Sequence, residues 1–255
     1  MRNIAGAVTF DFHNTLVQCD QWFDLEVRHI TSDYLRWQGE LVGSVWSHDT
    51  LLAADATYRD LRVEIMEHGR ELSAADGVRE AARRLHLDID DTAVDRGIEE
   101  LMHGALTTIG PMPGAEDTVA YLHGAGVKMG IVSSAVYHPF LDWSLKRLAM
   151  DRFFEAIMTS ASTGFYKSRP EIFQHAAGKL GVTTEEVSHV GDSFRFDVLG
   201  ARRAGMRTVW VRHPGQEPLT GEPPADLTLS TLVGAGPVIL QHLNWQTPEH
   251  VSPDE

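Results

Sequence analysis

Apolar and polar positions change their spacing twice along this chain. Ala5 to Phe12 is a short apolar run rich in strand formers that carries Asp11 near its end and gives way at once to polar His13, Asn14 and Thr15. It reads as a buried strand delivering a carboxylate to a sheet edge. From Asp20 to about Leu106 the period becomes helical. Trp22, Val27, Ile30, Tyr34 and Trp37 form one apolar stripe, and Leu51, Leu52, Tyr58, Leu61 and Ile65 a second. Val78, Ala82 and Leu85 follow, then Val94, Ile98, Leu101 and Met102. These stripes predict four successive helices. Ser73 caps the third, Asp91 or Thr92 caps the fourth, and Gly39, Gly43 and Gly69 lie in the breaks.

Gly110-Pro111-Met112-Pro113-Gly114 ends the helical block, and beyond it strands and helices alternate. The pattern predicts helices over Ala115 to His123, Pro139 to Leu148, Pro170 to Leu180 and Phe196 to Ala204. Strands are predicted over Lys128 to Ser133, Ala156 to Thr159, Val187 to Gly191 and Thr208 to Val211, with a last short one from Ala225 to Leu229. Pro214 to Pro224 reads as a surface loop and Thr247 to Glu255 as a frayed tail. Such alternation belongs to an α/β fold with a parallel, Rossmann-like sheet core. The four-helix block is then an insertion, giving a core of residues 1–16 and 110–255 and an inserted unit of 17–109.

Composition narrows the function classes. Lys and Arg total 22 against 36 Asp and Glu, a net charge of −14, and a field of that sign repels nucleic acid and anionic membrane surfaces. Nucleic acid and membrane are therefore not expected partners. A phosphate ester would need a strong local positive site. No run of about 18 apolar residues occurs, and Met1 to Phe12 lacks a secretory pattern. With Cys19 as its one cysteine, the protein is expected to be cytoplasmic.

Ligands of a parallel sheet bind beyond the carboxyl ends of its strands. Four such places in this chain hold polar groups: Asp11 through Thr15, then Ser133-Ser134, then Lys167, then Gly191-Asp192-Ser193 with Asp197 after it. Singly, each has an ordinary reading, since an aspartate at a strand end often makes a turn, serines cap helices, and a lysine is often a solvated charge. Lys167 is one of four lysines beside 18 arginines, which makes a chance surface lysine less expected here.

In this ordered set the sequence resembles the haloacid dehalogenase-like hydrolase superfamily, in the wording of its phosphatase branch. The likeness covers residues 1–16 and about 110–230, and the inserted helices resemble that superfamily's helical cap. The resemblance implies a Mg²⁺-dependent phosphatase acting on a small phosphorylated metabolite through an aspartyl phosphate on Asp11. Asp11, His13 and Lys167 are the expected catalytic residues, and Thr15, Ser133, Ser134 and Lys167 the expected phosphate ligands. Asp11, Asp192 and the backbone carbonyl of His13 would hold the metal, with Asp197 and Ser193 behind them. Charge supports these roles. A carboxylate attacking a phosphate dianion faces repulsion that a divalent cation and a lysine relieve.

Two positions depart from the family pattern. His13 stands where a second aspartate usually serves as general acid and base, a task an imidazole with a pKa of about 6.5 can also perform. Asn14 stands where glycine is usual. His13 keeps two alternatives open: carbon–halogen hydrolysis, against which the pair Asp192 and Asp197 speaks, and a non-catalytic descendant that binds a phosphorylated ligand. Carbon–phosphorus cleavage through a cap lysine is disfavoured because residues 17–109 contain no lysine. Arg28, Arg36, Arg59 and Arg62 are nominated as specificity residues of the inserted unit. Oligomeric state is not legible.

Overall fold

The computed structural model describes residues 6–243. Six parallel strands form the central sheet: β1 (Ala7–Phe10), β4 (Lys128–Ser133), β5 (Ala156–Thr159), β6 (Val187–Gly191), β7 (Arg207–Val211) and β8 (Leu227–Leu229). Their order is β5-β4-β1-β6-β7-β8, so β1 is central, pairing Phe10 with Ile131 on one side and Val190 on the other. A strand buried on both faces needs apolar residues throughout rather than alternation. Accordingly Val8 and Phe10 pack into one apolar cluster, against α6 (Ala115–Gly124), α7 (His138–Arg147) and α11 (Ala235–Leu243). Ala7 faces a second cluster, against α9 (Glu171–Leu180) and α10 (Leu199–Arg203).

Helices also form the segment between β1 and β4. After β1 a tight turn closes through Leu16 and Val17 N–H groups donating to Phe12 O, at 3.0 and 2.9 Å. The chain then leaves the sheet through β2 (Val17–Gln18) and returns through β3 (Gly110–Pro111), an antiparallel pair that the hydrophobic pattern did not reveal. Between them lie α1 (Asp20–Asp24), a π-helical turn (Leu25–His29), α2 (Ile30–Val42), α3 (His48–His68), α4 (Ala74–Arg84) and α5 (Val94–Ala105). Ser73 caps α4 as expected, accepting from Asp76 N–H. At α5 the cap differs: Asp90 accepts from Thr92 N–H and starts a 3-10 turn, Asp91–Ala93, that leads into the helix. Gly39 lies inside α2 rather than in a break, because Ser44 and Trp46 pack where its side chain would stand. Gly43 and Gly69 do end helices, at φ of 67° and 71°.

In the second half, β4, β5 and β6 have the bounds the pattern predicts, and α6, α7, α9 and β7 differ from prediction by a residue at their ends. The expected Phe196 helix begins earlier, as a π-helical turn (Phe194–Val198) continued by α10. A short α8 (Ser160–Thr163) and the terminal α11 were not predicted. The predicted tail Thr247 to Glu255 and the start of the first strand at Ala5 lie outside the described residues. No helix among the described residues is long and apolar enough to cross a membrane.

Contacts between the insertion and the segments that follow the strands are both aromatic and polar. Trp22 stacks on Phe140 at 4.8 Å and meets Phe12 edge-on at 5.9 Å, the offset and perpendicular arrangements that ring quadrupoles favour. Backbone bonds join Glu71 N–H to Gly164 O, Ala74 N–H to Val136 O and Tyr166 N–H to Gly69 O, at 3.0, 2.9 and 3.1 Å.

Candidate active site

A cavity of about 310 Å³ opens over the carboxyl ends of β1, β4 and β6. Its sheet side is lined by Asp11, His13, Asn14, Ser133, Ser134, Lys167, Asp192, Ser193 and Asp197. Of the site residues predicted from sequence, all but Thr15 line this one space. Thr15, expected at the phosphate, instead donates to Asp11 Oδ2 at a long 3.4 Å from a buried position outside that lining.

Asp11 directly follows β1, and its N–H bonds Val190 O at 2.8 Å, so the central strand fixes the carboxylate. Lys167 reaches it from the loop before α9. Its ammonium donates to Asp11 Oδ1 and, at 2.6 Å, to Asp197 Oδ1. Lys167 is 3% exposed and Asp197 2%, so these charges are buried and depend on one another.

Asp197 is fixed from three sides. Besides Lys167 it takes Ser193 N–H on Oδ2 at 2.8 Å, and His189 Nε2 lies 3.2 Å from Oδ1. His189 is steadied in turn by Thr9 Oγ1, 2.9 Å from its Nδ1. Close packing here requires glycine: a Cβ on Gly191 would lie 2.3 Å from Asp197 Cγ. His189 escaped sequence reasoning. It lies within a wholly buried strand, two residues before Gly191, and strand periodicity puts the two on one face.

Charge balance makes this cluster unusual. Burial resists ionisation of Asp197, but Lys167 and His189 outweigh it and hold the carboxyl well below its usual range. Burial also opposes the charge of Lys167, yet Asp11 and Asp197 keep its pKa above the ordinary value. Asp11 is raised by burial, with Lys167 opposing. At half-buried Asp192 the opposing pull of Lys167 is the weaker influence. Burial, reinforced by Asp11 and Asp197, pushes it up to about 8. Oxygens from Asp11, Asp192 and Asp197 all lie within 4.8 Å of one another. Once all three are ionised, three carboxylates against one ammonium leave an excess of negative charge that a divalent cation would neutralise.

His13 lies beside this cluster with its ring stacked on Phe23 at 4.4 Å and Nε2 3.2 Å from Asp20 Oδ1. In the sequence pattern Asp20 marks only the start of a helix. Asn14 has φ of 58°, a left-handed conformation that asparagine tolerates and glycine adopts freely. Its carbonyl accepts from His213 Nε2 at 2.8 Å. Ser134 Oγ accepts weakly from Lys167 N–H at 3.4 Å. From the insertion, Trp22, Phe23, Glu26, Val27, Arg62 and Met66 also line it, and Tyr166 and Phe196 complete the lining. Of the nominated arginines only Arg62 reaches it; Arg59 is exposed, and Arg28 and Arg36 form exposed pairs with Asp24 and Asp33. Cys19 is buried and its thiol pKa is pushed far up by that burial, which makes it unreactive.

A helix-covered parallel sheet with a carboxylate-lined cavity at its carboxyl edge defines the class, an α/β enzyme core bearing a helical insertion after its first strand. A family model described as haloacid dehalogenase-like hydrolase matches residues 5–205, and the chain belongs to that family of hydrolases. It is 28% identical over 214 residues to the glyceraldehyde 3-phosphate phosphatase of Pyrococcus furiosus, covering 84% of this chain and 82% of that one. It is 30% identical over 139 residues to (S)-2-haloacid dehalogenase 4A of Burkholderia cepacia, covering 54% of this chain and 57% of the relative. Two solved structures share the fold over nearly the whole chain. The 2-haloacid dehalogenase from Pseudomonas syringae superposes with a TM-score of 0.68 at 20% identity, covering 93% of this chain and 99% of that one. The HAD phosphatase from Thermococcus onnurineus gives 0.62 at 23% identity, covering 92% and 97%.

Proposed function

We propose that this protein is a Mg²⁺-dependent phosphatase that hydrolyses a small phosphorylated metabolite through an aspartyl phosphate on Asp11. Relatives named glyceraldehyde 3-phosphate phosphatase and pyrophosphatase PpaX support phosphate ester or anhydride chemistry. One observation carries the choice over carbon–halogen hydrolysis. An Asp192 oxygen lies within 4.8 Å of oxygens of Asp11 and Asp197, a gathering of carboxyls that halide departure does not need and a hard cation would stabilise. Asp11, Asp192 and the His13 carbonyl would hold the ion, since Lys167, His189 and Ser193 already occupy Asp197. Bound there, Mg²⁺ would supply charge neutralisation to the phosphoryl oxygens.

This chain's own groups perform the remaining steps. An Asp11 oxygen forms a bond to phosphorus as the bond to the ester oxygen breaks. Ser133 and Lys167 hold the phosphoryl oxygens. His13, its Nε2 held by Asp20, gives a proton to the leaving oxygen and later takes one from the attacking water. That water breaks the Asp11–phosphorus linkage and releases inorganic phosphate. We assign residues 1–16 and 110–255 to the catalytic core and 17–109 to a cap that closes over the cavity and excludes bulk water. Buried, unpaired Cys19 is consistent with the reducing setting of a cytoplasm.

Phosphate release from p-nitrophenyl phosphate and a set of metabolite phosphates, with Mg²⁺ or with EDTA, tests this reading. Turnover that needs the metal is expected. Halide release from 2-chloropropionate without phosphatase activity would replace it with dehalogenation, and phospho-ligand binding without turnover would replace it with a binding role.

A further inference from the structure

One polar group in the cavity takes no part in the phosphoryl chemistry. Glu26, in the π-helical turn after α1, lines the cavity that Asp11 and Lys167 share, is 2% exposed, and leaves Oε2 without a hydrogen-bond partner. Its carboxyl accepts one backbone bond, from Val136 N–H. The nearby cation is committed elsewhere. Arg62 donates from both terminal nitrogens to Glu71, whose oxygens also accept from Ser160 Oγ at 2.7 Å and Leu72 N–H at 2.9 Å. One guanidinium thus meets two buried carboxyls, and Glu71 takes it. Glu26 is left to hold a proton, with burial, aided by Glu71 and opposed by Arg62, pushing its pKa up to about 8.

The neighbouring lining from the insertion is apolar, with Trp22, Phe23, Val27 and Met66. A buried carboxyl oxygen without a partner costs roughly 1–3 kcal/mol, a cost removed when a ligand group completes the bond. A hydroxyl suits it best, because it accepts from the protonated carboxyl and donates to the ionised one. A second anionic group would find two acidic neighbours and a guanidinium already paired. The cavity volume lies at the small end of ligand sites.

Building on the phosphatase reading, we propose that Glu26 is the specificity-determining residue for the carbon end of the substrate, hydrogen-bonding a hydroxyl of a small, otherwise uncharged phosphomonoester. The substrate class is then the monophosphate of a short polyol or hydroxyaldehyde.

The test compares kcat/KM for glycerol 3-phosphate and propyl phosphate, which share a three-carbon ester and differ in hydroxyls, in wild type, Glu26→Gln and Glu26→Leu. The ratio favouring the glycerol ester is expected to persist in Glu26→Gln and to fall roughly 10- to 100-fold in Glu26→Leu, chiefly through KM. An unchanged ratio in Glu26→Leu, even if both rates drop, overturns the proposal. Wild-type indifference between the two esters overturns it without any variant, while the phosphatase reading stands. Failure of the wild type to release phosphate from either ester, or from p-nitrophenyl phosphate, refutes the phosphatase reading itself, and the subsite with it.

Discussion

Asp197 Oδ1 accepts a hydrogen bond from Lys167 Nζ at 2.6 Å, and both side chains are almost wholly removed from solvent. The ammonium that faces Asp11 is therefore held from behind by a carboxylate from another strand end. This contact links the loop before α9 to the turn after β6.

Removing the cation should cost stability as well as activity. Lys167→Met leaves Asp11 and Asp197 as buried carboxylates with no compensating charge, a loss of about 3–5 kcal/mol. Denaturant unfolding in EDTA measures it. Adding Asp11→Asn to Lys167→Met should restore part of the loss, since one of the stranded charges is then gone. A single-variant loss under about 1 kcal/mol would show that the cluster is not held together in this way.

Gly191→Ala tests whether Asp197 must lie where it does. The added methyl would stand 2.3 Å from Asp197 Cγ, so the carboxylate has to move and Lys167 with it. We expect kcat to drop at least about tenfold, the scale on which mispositioned catalytic groups act, while circular dichroism keeps its wild-type form. Turnover within about twofold of wild type would separate Asp197 from the chemistry.

His13→Ala should slow alkyl phosphates far more than aryl phosphates, because a phenolate leaves without a proton and an alkoxide does not. Matched kcat measurements on glycerol 3-phosphate and p-nitrophenyl phosphate decide it. Equal losses on both would remove the proton-transfer role and leave His13 as a packing partner of Phe23.

Glu26 predicts a pH dependence of stability with a definite sign. A folded-state carboxyl raised from 4.5 to about 8 binds its proton more tightly than the unfolded chain does. Its contribution is complete below the ordinary value and is lost as pH rises toward the folded value, at roughly 1.4 kcal/mol per pH unit. Glu26→Gln cannot ionise. Its stability relative to wild type should therefore grow between about pH 5 and about pH 8 in thermal melts, and a flat difference would contradict the assignment.

Much of this site is legible before any coordinates. Met129 to Val132 and Ala156 to Met158 are continuous apolar segments of the kind a doubly covered parallel sheet accommodates, so their ends and the polar residues beyond them follow directly. Other features depend on tertiary contacts. The π-helical turns at Leu25–His29 and Phe194–Val198 conform locally to helical spacing and differ only in how their backbone bonds close. Strands of two residues, such as Val17–Gln18, carry no period at all. Gly39 looks like a break in sequence, yet it sits within α2 because the following loop packs against it. His189, Asp20 and Glu26 were missed for a related reason. Each gains its meaning from a partner distant in sequence or from a cavity wall, and residue type alone reveals neither. Arg62 shows the converse, a nominated residue whose charge is already spent on Glu71.

The most direct measurement is acid quenching of wild-type protein and Asp11→Asn during turnover of a phosphomonoester with Mg²⁺, followed by intact-mass and peptide analysis. Wild type should carry one phosphoryl group on the peptide containing Asp11, and Asp11→Asn should carry none and release no phosphate. Sustained phosphate release by Asp11→Asn, or a phosphoryl group mapped to any other residue, would contradict the nucleophilic role of Asp11.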